Sequence, residues 1–113
     1  SSFASVLSQC IHNIHESMEG AKQKLESASL EGSSGTESIV LGVTFIQEMK
    51  LRMTPWAAEI ARLEASERLL RRQRYHFRGD WMESAILVGL FAQVQQLLNR
   101  RIQTMEKQFP LLQ

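Results

Sequence analysis

The stretch from Ile46 to Phe77, IQEMKLRMTPWAAEIARLEASERLLRRQRYHF, decides how the whole chain is read. Stepping from Ile46 alternately by three and four residues meets Met49, Met53, Trp56, Ile60, Leu63, Glu67, Leu70, Arg74 and Phe77. Eight of these ten positions are apolar, and the alternation holds them on one stripe of a helix that turns once per about 3.6 residues. The exceptions, Glu67 and Arg74, sit seven apart on the stripe itself. Either they pair with charges on a neighbouring helix or they mark where cover ends. Pro55 falls inside the pattern, where proline forfeits a backbone hydrogen bond and crowds the preceding turn at a cost of about 3 kcal/mol. Because the stripe keeps its phase across Pro55, the spacing predicts one long, bent helix over 37–77. The competing reading makes Thr54 an N-cap and Pro55 a first helical residue.

Working outward, Leu7, Ile11, Ile14, Met18, Ala21, Leu25 and Ala28 repeat the same spacing and predict a helix over 2–30. The run LEGSSGTES, with Gly32 and Gly35, ends it, and Thr36 or Ser38 is placed to cap the next helix. On the other side, Arg78-Gly79-Asp80 reads as a turn. Asp80 and Glu83 have the form of a capping box that opens a third helix over 81–109. Its broad apolar face comprises Ile86, Leu87, Leu90, Phe91, Val94, Leu97, Leu98, Ile102, Met105 and Phe109, and Pro110 ends the pattern. Helices joined by short turns run up, down and up. The predicted fold is therefore all-α, an antiparallel three-helix bundle in one unit, 1–113. A second helix of some forty residues measures ~60 Å at ~1.5 Å per residue, which the shorter first and third helices cannot cover fully. That mismatch, with an opening SSFASVLSQC that is already helical and has no initiator Met, reads as one segment of a longer, elongated chain.

Composition narrows the function classes. Thirteen Lys and Arg against twelve Asp and Glu leave a net charge of +1, so the chain as a whole is no sleeve for polyanions. The single cysteine, Cys10, gives no internal disulfide framework and suits a reducing compartment. No apolar run approaches the ~18 residues of a membrane span.

Patterns that carry chemistry are weak. His12 and His15, near Glu16 and Glu19, offer two or three metal ligands on one helix, but HNIHE is not HExxH, and solvent-facing histidines are the simpler reading. GSSGTES lacks the lysine and glycine spacing of a phosphate loop. No paired carboxylates or nucleophile arrangement appears, so no catalytic, cofactor-binding or metal residue is assigned. Arg68, Arg71, Arg72 and Arg78 dress the polar side of the second helix's end, where cations complement the carbonyl end of the helix dipole. Arg71, Arg72 and Arg78 are the candidate partner surface, for a phosphate or an acidic protein. Nucleic acid is disfavoured because Tyr75, Phe77 and Trp81 are placed to close the core rather than to stack on bases.

Two blocks carry a resemblance. RLLRRQRYHFRGDW is similar to an R-L-L-x-x-Q-R-[FY]-x-F-x-x-x-W pattern in the stem of the cytoplasmic dynein heavy chain, ahead of its linker and motor. Arg68, Leu69, Leu70, Gln73, Arg74, Tyr75, Phe77 and Trp81 fill it. VTFIQEMK resembles [IV]-T-[YF]-[IV]-Q-x-[LM]-K through Val43, Thr44, Phe45, Ile46, Gln47, Met49 and Lys50, at the same distance upstream. The likeness is good from about Thr36 to Leu98. This chain departs from it at Arg78 and Gly79, where the family often has prolines, at Phe91, and at Pro55.

The resemblance implies a non-catalytic helical segment of a dimeric, ATP-driven, minus-end-directed microtubule motor whose ATP sites lie elsewhere. It implies cytoplasmic, microtubule-associated work, with the sister heavy chain, accessory subunits, dynactin or adaptors as partners. Microtubules would be met only through the distant motor. It also implies that Gln73 and Arg74, on or near the stripe, form a polar clasp between helices. The alternatives are a free-standing spectrin-like adaptor bundle that binds a partner helix and, behind it, a basic nucleic-acid module.

Overall fold

The computed structural model describes residues 2–27 and 36–108. Three helices pack on one another: α1 (Phe3–Ser27), α2 (Thr36–Arg72) and α3 (Ala85–Gln108). The long axis measures 56 Å against 21 and 19 Å across. At ~1.5 Å per residue, the 37 residues of α2 account for nearly all of that length.

Every described apolar position of the three-four ladders on α1 and α2 up to Leu70 is buried, from Leu7 to Leu25 and from Ile46 onward. Ala4 extends the first stripe by one step. Together with Leu87, Leu90, Val94 and Leu98 these side chains form one continuous core. Ile11, Met18, Leu25, Leu87 and Val94 are the most deeply enclosed. Phe91, Leu97, Ile102 and Met105 pack against the core from its edge. Ile86 differs from its expected place on the buried face and is 49% exposed. Leu87, one residue and about 100° further round the helix, takes the inward direction instead.

α2 runs without interruption through Pro55, so the reading of one helix holds and the split at Thr54 does not. Pro55 and Leu51 both lie on the exposed side of the helix. The carbonyl of residue 51, which the missing N–H would have engaged, is therefore on the wet face, where water serves as donor.

Helix ends are where sequence and structure part. α2 stops at Arg72, not at residue 77, and α3 starts at Ala85, not at residue 81. At the α2 terminus the Arg74 amide donates to the Arg71 carbonyl at 3.0 Å and the Tyr75 amide to the Leu70 carbonyl at 2.9 Å. Arg74 itself has φ 58°. Those two bonds with a left-handed residue between them make a Schellman stop, which satisfies carbonyls the helix end would leave open. Asp80 and Glu83 do not form the expected capping box. The first amide bonds of α3 run from Ile86 to the Glu83 carbonyl and from Leu87 to the Ser84 carbonyl, while the Asp80 carboxylate faces Arg78 in solvent.

At the other end of the chain Ser2 caps α1, its Oγ accepting from the Ser5 amide at 3.1 Å. Arg101 on α3 donates from both Nε and Nη2 to the Leu25 carbonyl, at 3.1 and 2.9 Å. This contact sets the late part of α3 beside the end of α1, so these two helices point the same way and α2 runs against them, up, down and up. The turn expected at Gly32 and Gly35, the caps sought at Thr36 and Ser38, and the stop at Phe109 and Pro110 lie outside the described residues or side chains.

Candidate functional site

Among the described residues Glu67 is the one charged side chain on α2's buried stripe; it is 6% exposed and organises the end of the bundle. Its position follows from the ladder, since residue 67 must face inward if Leu63 and Leu70 do. A lone carboxylate in that place would be costly. Four donors meet it: Trp81 Nε1 at 2.9 Å, the Ser84 amide at 2.9 Å, Ser84 Oγ at 2.8 Å and Arg71 Nη2 at 3.4 Å. The Ser84 amide belongs to the opening of α3, where the helix dipole also favours negative charge. Glu67 therefore caps α3 from α2, across seventeen residues of sequence.

Electrostatics agree with that geometry. Burial by itself pushes the Glu67 carboxyl upward, but the bonds from Trp81, Ser84 and Arg71 together outweigh it and hold the group below its ordinary value of 4.5. It is ionised at neutral pH, with its lone pairs occupied by protein donors. Such a carboxylate is a fastener; general-base or nucleophilic chemistry would need it free to meet a substrate.

Around the fastener the aromatic residues form a lid. Tyr75 meets Phe77 edge-on at 5.2 Å between centroids, and Phe77 meets Trp81 at 4.7 Å. Arg71 lies over the Phe77 ring at 5.0 Å and reaches Glu83 at 3.7 Å. Arg71 is thus part of the latch, with its charge directed at Glu67 and Glu83.

The structure relocates the expected clasp. Arg74, awaited on the stripe, is exposed and serves the helix stop through its backbone. Gln73 is exposed beside it. The clasp is made by Glu67, whose partners are mainly neutral donors from beyond the turn rather than charges on a facing helix. Among the other motif residues, Ile46, Met49 and Leu70 are core. Val43, Phe45, Phe77 and Trp81 are half-buried, and Thr44, Gln47, Lys50, Arg68, Leu69, Arg72, Tyr75 and Arg78 are exposed.

Two functional contacts escaped the sequence. Trp81 and Ser84 had a signal in principle, a hydrogen-bonding pair just past a turn that follows a carboxylate on an apolar stripe. Arg101 had none, because nothing local links it to a carbonyl 76 residues away. His12 is exposed and His15 half-buried. Among the described residues no three His, Cys, Asp or Glu side chains gather as metal ligands. No described helix is long and apolar enough to cross a membrane.

An elongated bundle of three helices whose principal polar site, among the described residues, is a latch between consecutive helices belongs to the class of antiparallel helical-bundle modules. Within that class the chain is a segment related to the cytoplasmic dynein heavy chains. It is 32% identical over 111 residues to the cytoplasmic dynein heavy chain of Dictyostelium discoideum, covering 98% of this chain and 2% of the relative. Against the corresponding protein of Neurospora crassa it is 30% identical over 99 residues, 88% of this chain and 2% of the relative. Against that of Drosophila melanogaster it is 22% identical over 111 residues, again 2% of the relative. The chain thus spans about one fiftieth of the curated relatives it matches. No family model matches the sequence, and no solved structure matches the fold.

Proposed function

We propose that the chain is a non-catalytic structural segment of a cytoplasmic dynein heavy-chain stem, lying ahead of the linker and motor. It carries load between cargo-binding parts and the motor, and supports assembly with the sister heavy chain, accessory subunits, and dynactin or adaptors. ATP and microtubules are handled by the motor elsewhere in the heavy chain, in the cytoplasm. What supports this reading is the pairing of shape with fastening: a 56 Å strut whose longest helix is tied to the next by a buried carboxylate with four donors. Tension along α2 then passes into α3 through Glu67, Trp81 and Ser84, in addition to the backbone of the turn. The match to heavy chains about fifty times longer argues against a free-standing adaptor bundle.

The reading is tested in the full-length heavy chain carrying Glu67→Ala, with ATPase activity and single-molecule compliance measured side by side. The expected result is a motor that hydrolyses ATP at the ordinary rate but whose stem yields at lower force. Unchanged compliance, or lost ATPase with unchanged compliance, overturns it.

A further inference from the structure

We propose that the end of the bundle where α2 turns into α3 is a docking surface for an acidic protein segment, gripped by Arg68, Arg72, Arg74 and Arg78. The charge is local and large. Residues 68–78 hold five arginines and no acid, so they carry +5, and with a chain total of +1 the remainder carries 1 − 5 = −4. Nearby acids offset only part of the patch. Glu67 and Glu83 are directed at Arg71, and Glu64, one turn before Arg68, lowers the charge there, which leaves Arg72 and Arg74 uncompensated by any described ion pair. Asp80 meets Arg78 only at 3.6 Å, with both side chains about four-fifths exposed, an exposed pair that a better acceptor displaces at little cost.

The arrangement presents the remaining cations together. Arg68 and Arg72, four apart on α2, share one exposed flank. Arg74 follows at the left-handed position of the helix stop, φ 58°, where glycine is the strain-free residue. An arginine there accepts backbone strain and gains no described side-chain partner, which fits a side chain kept for an outside contact. Beside Arg78 lies a hollow of about 200 Å³ whose lining includes Ser5, Ser8, His12, Tyr75 and Asp80, a concave polar seat for one acidic side chain.

The patch is all arginine, whose planar fork binds carboxylate or phosphate in pairs of hydrogen bonds, so the surroundings of the patch narrow the partner to an acidic protein segment. Single-stranded nucleic acid needs free aromatic faces, but Phe77 and Trp81 are half-buried and Trp81 is committed to Glu67. A lipid surface needs an apolar face to insert; Leu69, Tyr75, Ile86 and Val88 are exposed around the α2–α3 turn, so the vesicle arm of the test separates that source from an acidic peptide.

The test measures binding of the 113-residue chain to a labelled glutamate-rich peptide, to duplex DNA and to phosphatidylserine vesicles, at low and at physiological salt. The expected result is salt-sensitive binding that prefers the peptide. It should weaken at least about tenfold in Arg68→Glu/Arg72→Glu/Arg74→Glu, and not in Arg100→Glu on α3. Circular dichroism confirms that each variant is folded; if the triple variant is not, Arg72→Glu alone must still weaken the peptide. No peptide binding, binding unaffected by charge reversal, or tighter binding to DNA or vesicles overturns the proposal. It leaves the load-bearing reading untouched, since that rests on Glu67 and a different measurement.

Discussion

Glu67 shows how one residue converts an apparent defect of pattern into a joint. Read along the sequence it interrupts an apolar stripe; in three dimensions it supplies the acceptors for Trp81 Nε1 and for the opening of α3. Glu67→Ala strands those donors in a dry environment, and we expect a loss of about 2–3 kcal/mol in urea unfolding. Because the folded carboxyl is held below 4.5, its contribution is fully present above the unfolded value and is lost as pH falls through the lower folded one. Unfolding free energy should therefore drop below about pH 4.5, and Glu67→Gln should flatten that part of the profile. A profile of equal slope in both proteins would dismiss the latch as an acid-sensitive element. Arg74 makes the opposite kind of point, since its left-handed backbone serves the helix stop and the side chain adds strain. Arg74→Gly should raise stability by about 1 kcal/mol. A decrease would mean that the arginine side chain holds something within the bundle.

At the level of elements, the interior of each helix was legible and its ends were not. The ladders from Leu7 to Leu25 and from Ile46 to Leu70 lie buried as the spacing requires, because burial on a helix repeats with local geometry. Phe77 continues the ladder in sequence but not as helix: it is half-buried as part of the aromatic lid, reached through an irregular backbone. The five residues by which the expected second helix overran were thus misread for a definite reason. A tertiary contact can hold the next periodic residue inward without helical conformation. Asp80 and Glu83 had the sequence form of a capping box, but the cap of α3 comes from Glu67, a carboxylate that the α2 stripe already holds buried at that spot. Pro55 gives a prediction at this scale. It sits inside α2 on the solvent side, so Pro55→Ala restores an N–H and removes the ring clash without touching the core. A gain of roughly 2–3 kcal/mol is expected from chemical denaturation. No gain would show that α2 bends at Pro55 to fit its neighbours and that straightening it costs as much as the bond returns.

Taken whole, the chain is longer than its residue count would give a sphere-like domain. Its Cα radius of gyration is 17.7 Å, whereas a compact domain of this size has about 13 Å. Small-angle scattering of the monomer should give a radius near 17.7 Å and an elongated distance distribution; a value close to the compact figure would rule out the strut. Three amphipathic helices, their order and their buried faces are all carried by residues within a few turns of one another, so the linear pattern was enough to read them. Which groups fasten the strut was settled only by folding. Glu67 finds its donors Trp81 and Ser84 fourteen and seventeen residues away, and Leu25's carbonyl finds Arg101 seventy-six away. Hydrogen bonds over such separations depend on how helices pack and where they stop, and no spacing rule along the chain encodes that.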